Sequence, residues 1–157
     1  NTLKQVSFIN LYIQALVLLI IFDFGTYFGH RMVHDPDYYK YHKSHHNVRN
    51  TVAISLIDID MTDFFVNNLP ILILPFLFSN PIINNAMCYE IWIIGFAFIF
   101  AQGFIIHSDL YLISSRYSLG LFWGDTVISH SLHHSKNKGY YSFVSPQIWD
   151  CICQTQS

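Results

Sequence analysis

Apolar residues run almost unbroken from Phe8 to Phe28, "FINLYIQALVLLIIFDFGTYF", with Asp23 near one end as the only charge. A helix needs about 20 such residues to span a bilayer. A second apolar region covers 64–83, with Asn67 and Asn68 inside it and Pro70 and Pro75 interrupting it. A third covers about 87–106, and the uncharged, turn-like "SNPIINNAM" lies between the two. The pattern predicts an all-α, integral-membrane helical bundle. Its parts are a helix over 8–28 and a helical hairpin over 64–106, which either spans the membrane or re-enters it because the prolines shorten its first arm. A soluble protein of this size lacks the polar residues to cover three such helices.

Charge placement orients the bundle. Arg31, Lys40, Lys43, Arg49, Arg116, Lys136 and Lys138 fall on one side of it, and only Lys4 on the other. The first side is therefore expected in the cytoplasm. At 157 residues the chain is expected to be a single domain, 1–157, and its start at Asn1 rather than Met suggests a fragment or processed product. Only 11% of residues are charged, with a net charge of −2, which leaves no basic patch for nucleic acid. Cys88, Cys151 and Cys153 make neither a disulfide framework nor a zinc CxxC pattern, and read as small apolar residues.

The polar positions carry the chemistry. All nine histidines fall at or just beyond the expected cytoplasmic boundary. His30 and His34 are spaced i, i+4. His42, His45 and His46 are spaced i, i+3, i+4, and His130, His133 and His134 repeat that spacing; His107 follows the last apolar segment. On a helix each set shares one face. Asp35 and Pro36 end the first helix and open a second over 36 to about 47. The third set is expected on a helix capped by Asp125 or Thr126 and stopped by Gly139. Imidazole suits iron, zinc, copper and nickel. Eight or nine of them exceed the roughly four to six ligands of one ion, so two ions in a histidine cage are expected. Mono-zinc catalysis needs only three protein ligands. Bis-histidine haem would need histidines within the apolar stretches, which have none, so redox iron is favoured.

These residues resemble the fatty acid hydroxylase / sterol desaturase superfamily of membrane di-iron enzymes. "DFGTYFGHRMVH", "YHKSHHNV", "IIHSDL" and "HSLHHSKNKGYYSF…IWD" are similar to its histidine boxes in order, over about 23–155. The resemblance implies hydroxylation or desaturation of a membrane lipid, a sterol or a fatty acyl or alkyl chain. Two Fe ions would use O2 as co-substrate, with electrons from a separate cytochrome b5-like or ferredoxin-like protein. It implies metal ligation by His30, His34, His42, His45, His46, His107, His130, His133 and His134. The membrane would be the endoplasmic reticulum in a eukaryote or the inner membrane in a bacterium.

Some positions depart from the family pattern. "DMTD" stands where His-Pro-x-Glu is frequent, with Asp60 in the histidine's place and Asp63 in the glutamate's. Tyr140 stands where Asn is usual, and of the terminal motif only Trp149, Asp150 and Thr155 remain. These changes leave a metal-binding, catalytically inactive relative as the alternative. Asp23, Asp63 and Asp150 are candidates to support the ligands from behind. Asp58 and Asp60 are expected in a solvated segment, and Phe122, Trp123 and Phe143 in packing or interface anchoring.

Overall fold

A computed structural model describes residues 8–78, 89–108, 124–143 and 148–156. Every regular element among them is helical: α1 (Phe8–Val33), α2 (Tyr39–His42), two 3-10 turns (His45–Asn47 and Ala53–Ile57), α3 (Met61–Phe78), α4 (Tyr89–His107), α5 (Gly124–Lys136) and α6 (Ile148–Ile152).

The three long helices pack with alternating direction. Gly25 of α1 faces Pro70 of α3, and Gly29 faces Val66, so residue numbers rise on one helix as they fall on the other. Leu18 of α1 meets Gly95 of α4, and Phe22 joins Ile99 in the core, so those two helices run parallel. The end of α1, the start of α3 and the end of α4 therefore meet at one end of the bundle. That meeting brings His30, Asp63 and His107 together.

Small residues make the close approach possible. A Cβ on Gly29 would lie 2.9 Å from the Val66 carbonyl oxygen, and one on Gly25 would overlap the Pro70 ring. Pro70 has no N–H to offer the carbonyl four residues earlier, which is that of Val66. Glycine on α1 lets the backbone come up to the carbonyl so released. Contrary to the sequence expectation, α3 runs unbroken through Pro70 and Pro75.

The burial pattern is inverted relative to a soluble domain. Gln14, Asp23, Thr26 and His30 of α1 are buried, whereas Phe8, Ile9, Ile13, Ile20 and Phe24 on the same helix are exposed. Ile93, Ile94 and Phe100 of α4 are exposed as well. Contiguous apolar surface of this kind marks contact with another apolar phase. Among the described residues α1 alone is long and apolar enough to cross a membrane, over Tyr12–Val33, which shifts the expected 8–28 segment toward the C-terminal end of the helix. α4 holds a shorter apolar run, Trp92–His107. The expected 64–83 and 87–106 segments become α3 and α4, at about 27 and 28 Å for a rise of about 1.5 Å per residue. Residues 79–88, the expected turn with Cys88 beside it, lie outside the described residues, as do Arg116, Phe122 and Trp123.

Candidate metal centre

The expected helix over 36–47 is instead a turn, α2 and a 3-10 turn. The Asp35 carbonyl accepts the N–H groups of Tyr38 and Tyr39, and its Oδ1 accepts that of Asp37. Asp35 thus caps the turn that Pro36 continues, and α2 begins only at Tyr39. The third box does lie on one helix. α5 starts at Gly124, so Asp125 and Thr126 sit inside its first turn rather than ahead of it. It ends where Asn137 takes a left-handed φ of 58°, with Gly139 following at 67°.

The nine histidines converge into two clusters. His30, His34, His42, His46 and His133 form one, and His45, His107, His130 and His134 form the other. Within each, the ring nitrogens lie within 4.8 Å of one another. In the first cluster the Nε2···Nε2 distances are 3.2 Å for His30–His42, 3.1 Å for His34–His133 and His34–His46, and 3.0 Å for His42–His46. In the second they are 3.2 Å for His45–His107, 2.9 Å for His107–His130 and 3.2 Å for His130–His134. Two ligands at a right angle on an ion about 2.1 Å away would sit about 3.0 Å apart.

Those contacts are not ordinary hydrogen bonds. Nδ1 of His30 meets the Tyr141 carbonyl at 3.2 Å, and that of His107 the Gly103 carbonyl at 2.7 Å. Nδ1 of His133 meets the Gly139 carbonyl at 2.6 Å, and that of His134 the Val48 carbonyl at 3.1 Å. Nδ1 of His42 meets Asp63 Oδ2 at 2.8 Å. Each oxygen accepts, so each of these Nδ1 atoms carries the proton and each Nε2 bears a lone pair. His30 and His42 then face each other with two lone pairs at 3.2 Å and no proton between them. Such an arrangement repels unless a cation sits in it. The donor set therefore fits two metal ions.

Burial keeps the rings neutral. Desolvation holds His34 and His45 down to about 4, His134 to about 3 and His46 to about 2. His42, His130 and His133 are lowered as well, by desolvation first and then by neighbouring imidazoles. Neutral imidazole is the form that ligates.

Of the three supporting acids, Asp63 is fully buried and directly holds His42. Asp150 touches no histidine. Its carboxylate accepts the N–H groups of Tyr141 and Ser142 at 2.9 and 2.8 Å, and the Thr155 hydroxyl at 2.7 Å. It acts on the centre one step removed, by fixing the loop whose Tyr141 carbonyl receives His30. Thr155 also meets the Tyr27 hydroxyl at 2.9 Å, and Trp149 packs edge-on against Phe24 with centroids 5.0 Å apart. The three terminal-motif residues that remain in this chain therefore all tie the chain's end back to the bundle. Asp23 is buried on α1 and belongs to neither cluster. Asp58 and Asp60 are exposed; Asp60 Oδ1 accepts the Thr62 N–H at the start of α3.

A cavity of about 360 Å³ opens beside both clusters. His30, His42, His45, His107 and His130 line one side, and Phe22, Phe64, Phe96, Ile99 and Phe100 line much of the rest. Phe143, expected in packing or interface anchoring, is also on its wall. Asn67 and Tyr141 were not singled out as site residues by the sequence. An amide inside an apolar helix was the available signal for Asn67; Tyr141 offers His30 its backbone carbonyl and sets its ring 5.7, 5.1 and 5.5 Å from those of His30, His34 and His133.

Residues 15–155 match the sequence model of the fatty acid hydroxylase family. The chain belongs to that family. Two curated relatives are Delta(7)-sterol 5(6)-desaturases. The one from Eremothecium gossypii is 26% identical over 146 residues, covering 92% of this chain and 37% of the relative. The one from Gibberella zeae is 30% identical over 126 residues, covering 80% and 32%. This fatty acid hydroxylase family chain thus spans about a third of the length of the curated relatives it matches. No solved structure matches it significantly.

Proposed function

We propose that each histidine cluster holds one iron ion and that the chain is the catalytic part of an oxidoreductase that hydroxylates or desaturates a membrane lipid. The lipid is a sterol or a fatty acyl or alkyl chain. When bound, the iron pair supplies O2 activation, with electrons from a separate cytochrome b5-like or ferredoxin-like protein. The observation that carries this reading is the cavity, where ligands of both clusters form one side of an otherwise largely apolar space.

The chain's own residues have separable tasks. Phe22, Phe96, Ile99, Phe100 and Phe143 would hold hydrocarbon and keep water from the metal side. The four backbone carbonyls and Asp63 orient the ligand rings and fix their tautomers. Five nitrogens in the first cluster exceed zinc's tetrahedral set, which favours iron. The exposed apolar face of α1 supports a membrane setting, in the endoplasmic reticulum of a eukaryote or the inner membrane of a bacterium. Arg31, Lys40, Lys43, Lys136 and Lys138 are exposed near the clusters in sequence, which supports a cytoplasmic metal face.

The test is lipid profiling of cells with and without the gene under oxygen, alongside the iron content of the purified protein. The expected result is iron near two per chain and one oxygen-dependent lipid product. Bound iron without any lipid change would replace this reading by that of a metal-binding relative without oxidase activity.

A further inference from the structure

The cavity beside the clusters has buried walls and an exposed rim. Its histidines are buried, as are Phe22, Asp63 and Ile99. Among its lining residues only Ile57, Met61 and Phe100 are exposed, at 56, 66 and 44%. Those three therefore mark its mouth, and all are apolar. They come from three elements around one gap. Leu56 of the 3-10 turn Ala53–Ile57 presses on α4, where a Cβ on Gly103 would lie 2.9 Å from both its methyl carbons. Phe100 sits one turn before Gly103, and Met61 opens α3 shortly after Ile57.

The rim continues the faces that meet an apolar phase. A 3-10 helix has about three residues per turn, so Ile54 and Ile57 share one face while Ala53 and Leu56 share another. The turn grips α4 with Leu56 and leaves Ile54 and Ile57 exposed. On α3, Met61, Phe65, Leu69 and Ile73 are exposed at every fourth residue. On α4, Ile93, Ala97, Ala101 and Ile105 are exposed at the same spacing, with Phe100 beside them. Each set lies along one side of its helix. The first stripe reaches the mouth at Met61, and the second passes it at Phe100. A mouth open to water would leave this contiguous apolar surface against water as well. Asp58 and Asp60, exposed between Ile57 and Met61, need water, so the rim lies at the membrane surface rather than in the hydrocarbon core.

We infer that the cavity opens sideways into the bilayer through a portal framed by Ile57, Met61 and Phe100, and that a membrane lipid enters there hydrocarbon first. This rests on the proposed lipid-oxidising function. The three rim side chains offer no polar group, so a headgroup that crossed them would lose its water with nothing in return. The hydrocarbon that enters meets Phe64, Phe96 and the ligand side of both clusters. The headgroup stays at the surface, at the level of Asp58 and Asp60.

The test uses the purified protein in lipid nanodiscs. With Cys88, Cys151 and Cys153 changed to serine, a nitroxide is placed at Ile57→Cys, Met61→Cys or Phe100→Cys. Its relaxation by O2, which partitions into lipid, is compared with that by a water-soluble nickel chelate. Ile93→Cys on the outer face of α4 and Lys43→Cys at the metal end are the references. The O2-to-chelate ratio at the three rim positions is expected to exceed that at Lys43 severalfold and to approach that at Ile93. A ratio matching Lys43 would mean a mouth open to water, and protection from both agents a mouth covered by protein; either overturns the inference. Entry is read with a sterol and a long-chain alcohol, each carrying a diazirine in its hydrocarbon and delivered from donor vesicles. Labelling of Phe22, which is buried on the cavity wall, is divided by labelling of the exposed Phe8, Ile9 and Ile13 of α1. In the double variant Ile57→Trp, Met61→Trp the rise of that ratio is expected to slow severalfold for whichever probe labels the wild type. An unchanged rise, or no labelling of wild-type Phe22 by either probe, overturns the inference. If the double variant fails to fold, the nitroxide ratios decide. Product formation under O2 with an electron donor is scored separately. Phe22 labelling through the portal without product would leave the portal standing and defeat the proposed reaction. Product formed by a protein whose mouth faces water would do the reverse.

Discussion

His133 and His134 are adjacent in the chain, yet their ring planes stand at 87° with centroids 5.8 Å apart, and they face different clusters. The same division recurs in the second box. His42 and His46 share one cluster with His30 and His34, while His45 joins His107 in the other. In the second and third boxes the i, i+4 pair falls in one cluster and the remaining histidine crosses to the other. Ions in both clusters would therefore be held by the same short segments.

Alanine at these two positions should therefore have separable effects. His133→Ala leaves four ligands in the first cluster, whereas His134→Ala leaves three in the second. Each variant is expected to retain iron at least about 10-fold more weakly, since even outer partners of ligands are worth 10–100-fold. His134→Ala is expected to lose more. Elemental analysis after dialysis against a chelator reads the difference; full loading of both variants would contradict the assignment.

Asp63 is expected to control metal retention through His42 without touching the ion. Asp63→Leu removes the acceptor for the His42 Nδ1 proton and should weaken iron binding by about 10–100-fold. Asp63→Asn keeps an acceptor oxygen and should fall between. Chelator competition gives the order, and identical retention in all three proteins would remove Asp63 from the centre.

Gly29→Ala tests the approach of α1 to α3. In an isolated helix alanine is favoured over glycine by about 1 kcal/mol. Here its Cβ would meet the Val66 carbonyl oxygen at 2.9 Å, so overpacking of about 1–3 kcal/mol should dominate. The sign is the test. Thermal unfolding in detergent should show a lower midpoint, and a raised one would mean the helices give way freely.

Tyr140 holds a left-handed φ of 55° while its N–H donates to the Thr155 carbonyl at 2.9 Å. A bulky side chain there is strained, and asparagine tolerates that conformation better. Tyr140→Asn is expected to stabilise the protein by about 1 kcal/mol and to leave iron content unchanged. Unfolding midpoints decide; a loss of stability would mean that the tyrosine ring's contacts outweigh its backbone strain.

Much of the site was legible because its signals are local. The three histidine boxes, His107 and the apolar run of α1 each read from spacing within a few residues. The continuity of α3 did not, because Pro70 looks like a breaker until Gly29 and Gly25 are seen against it. The second box read as one helix, but α2 stops at His42 and a 3-10 turn takes over at His45. Asp150 read equally as a partner for a histidine or as a cap of a chain end; it binds the Tyr141 and Ser142 N–H groups and the Thr155 hydroxyl, and backbone N–H groups carry no sequence signature.

Periodicity along the chain was enough to establish helices, an apolar span and nine imidazoles gathered at one end. Helical spacing reports only neighbours within a turn or two, so it could not say which rings share an ion. That was decided by the antiparallel contact of α1 with α3 and the parallel contact of α1 with α4, which bring His30, Asp63 and His107 to one end of the bundle. The same contacts close the cavity and turn the Asn67 amide against Asp63. Such relationships join residues far apart in the chain, and their energies belong to the packed bundle.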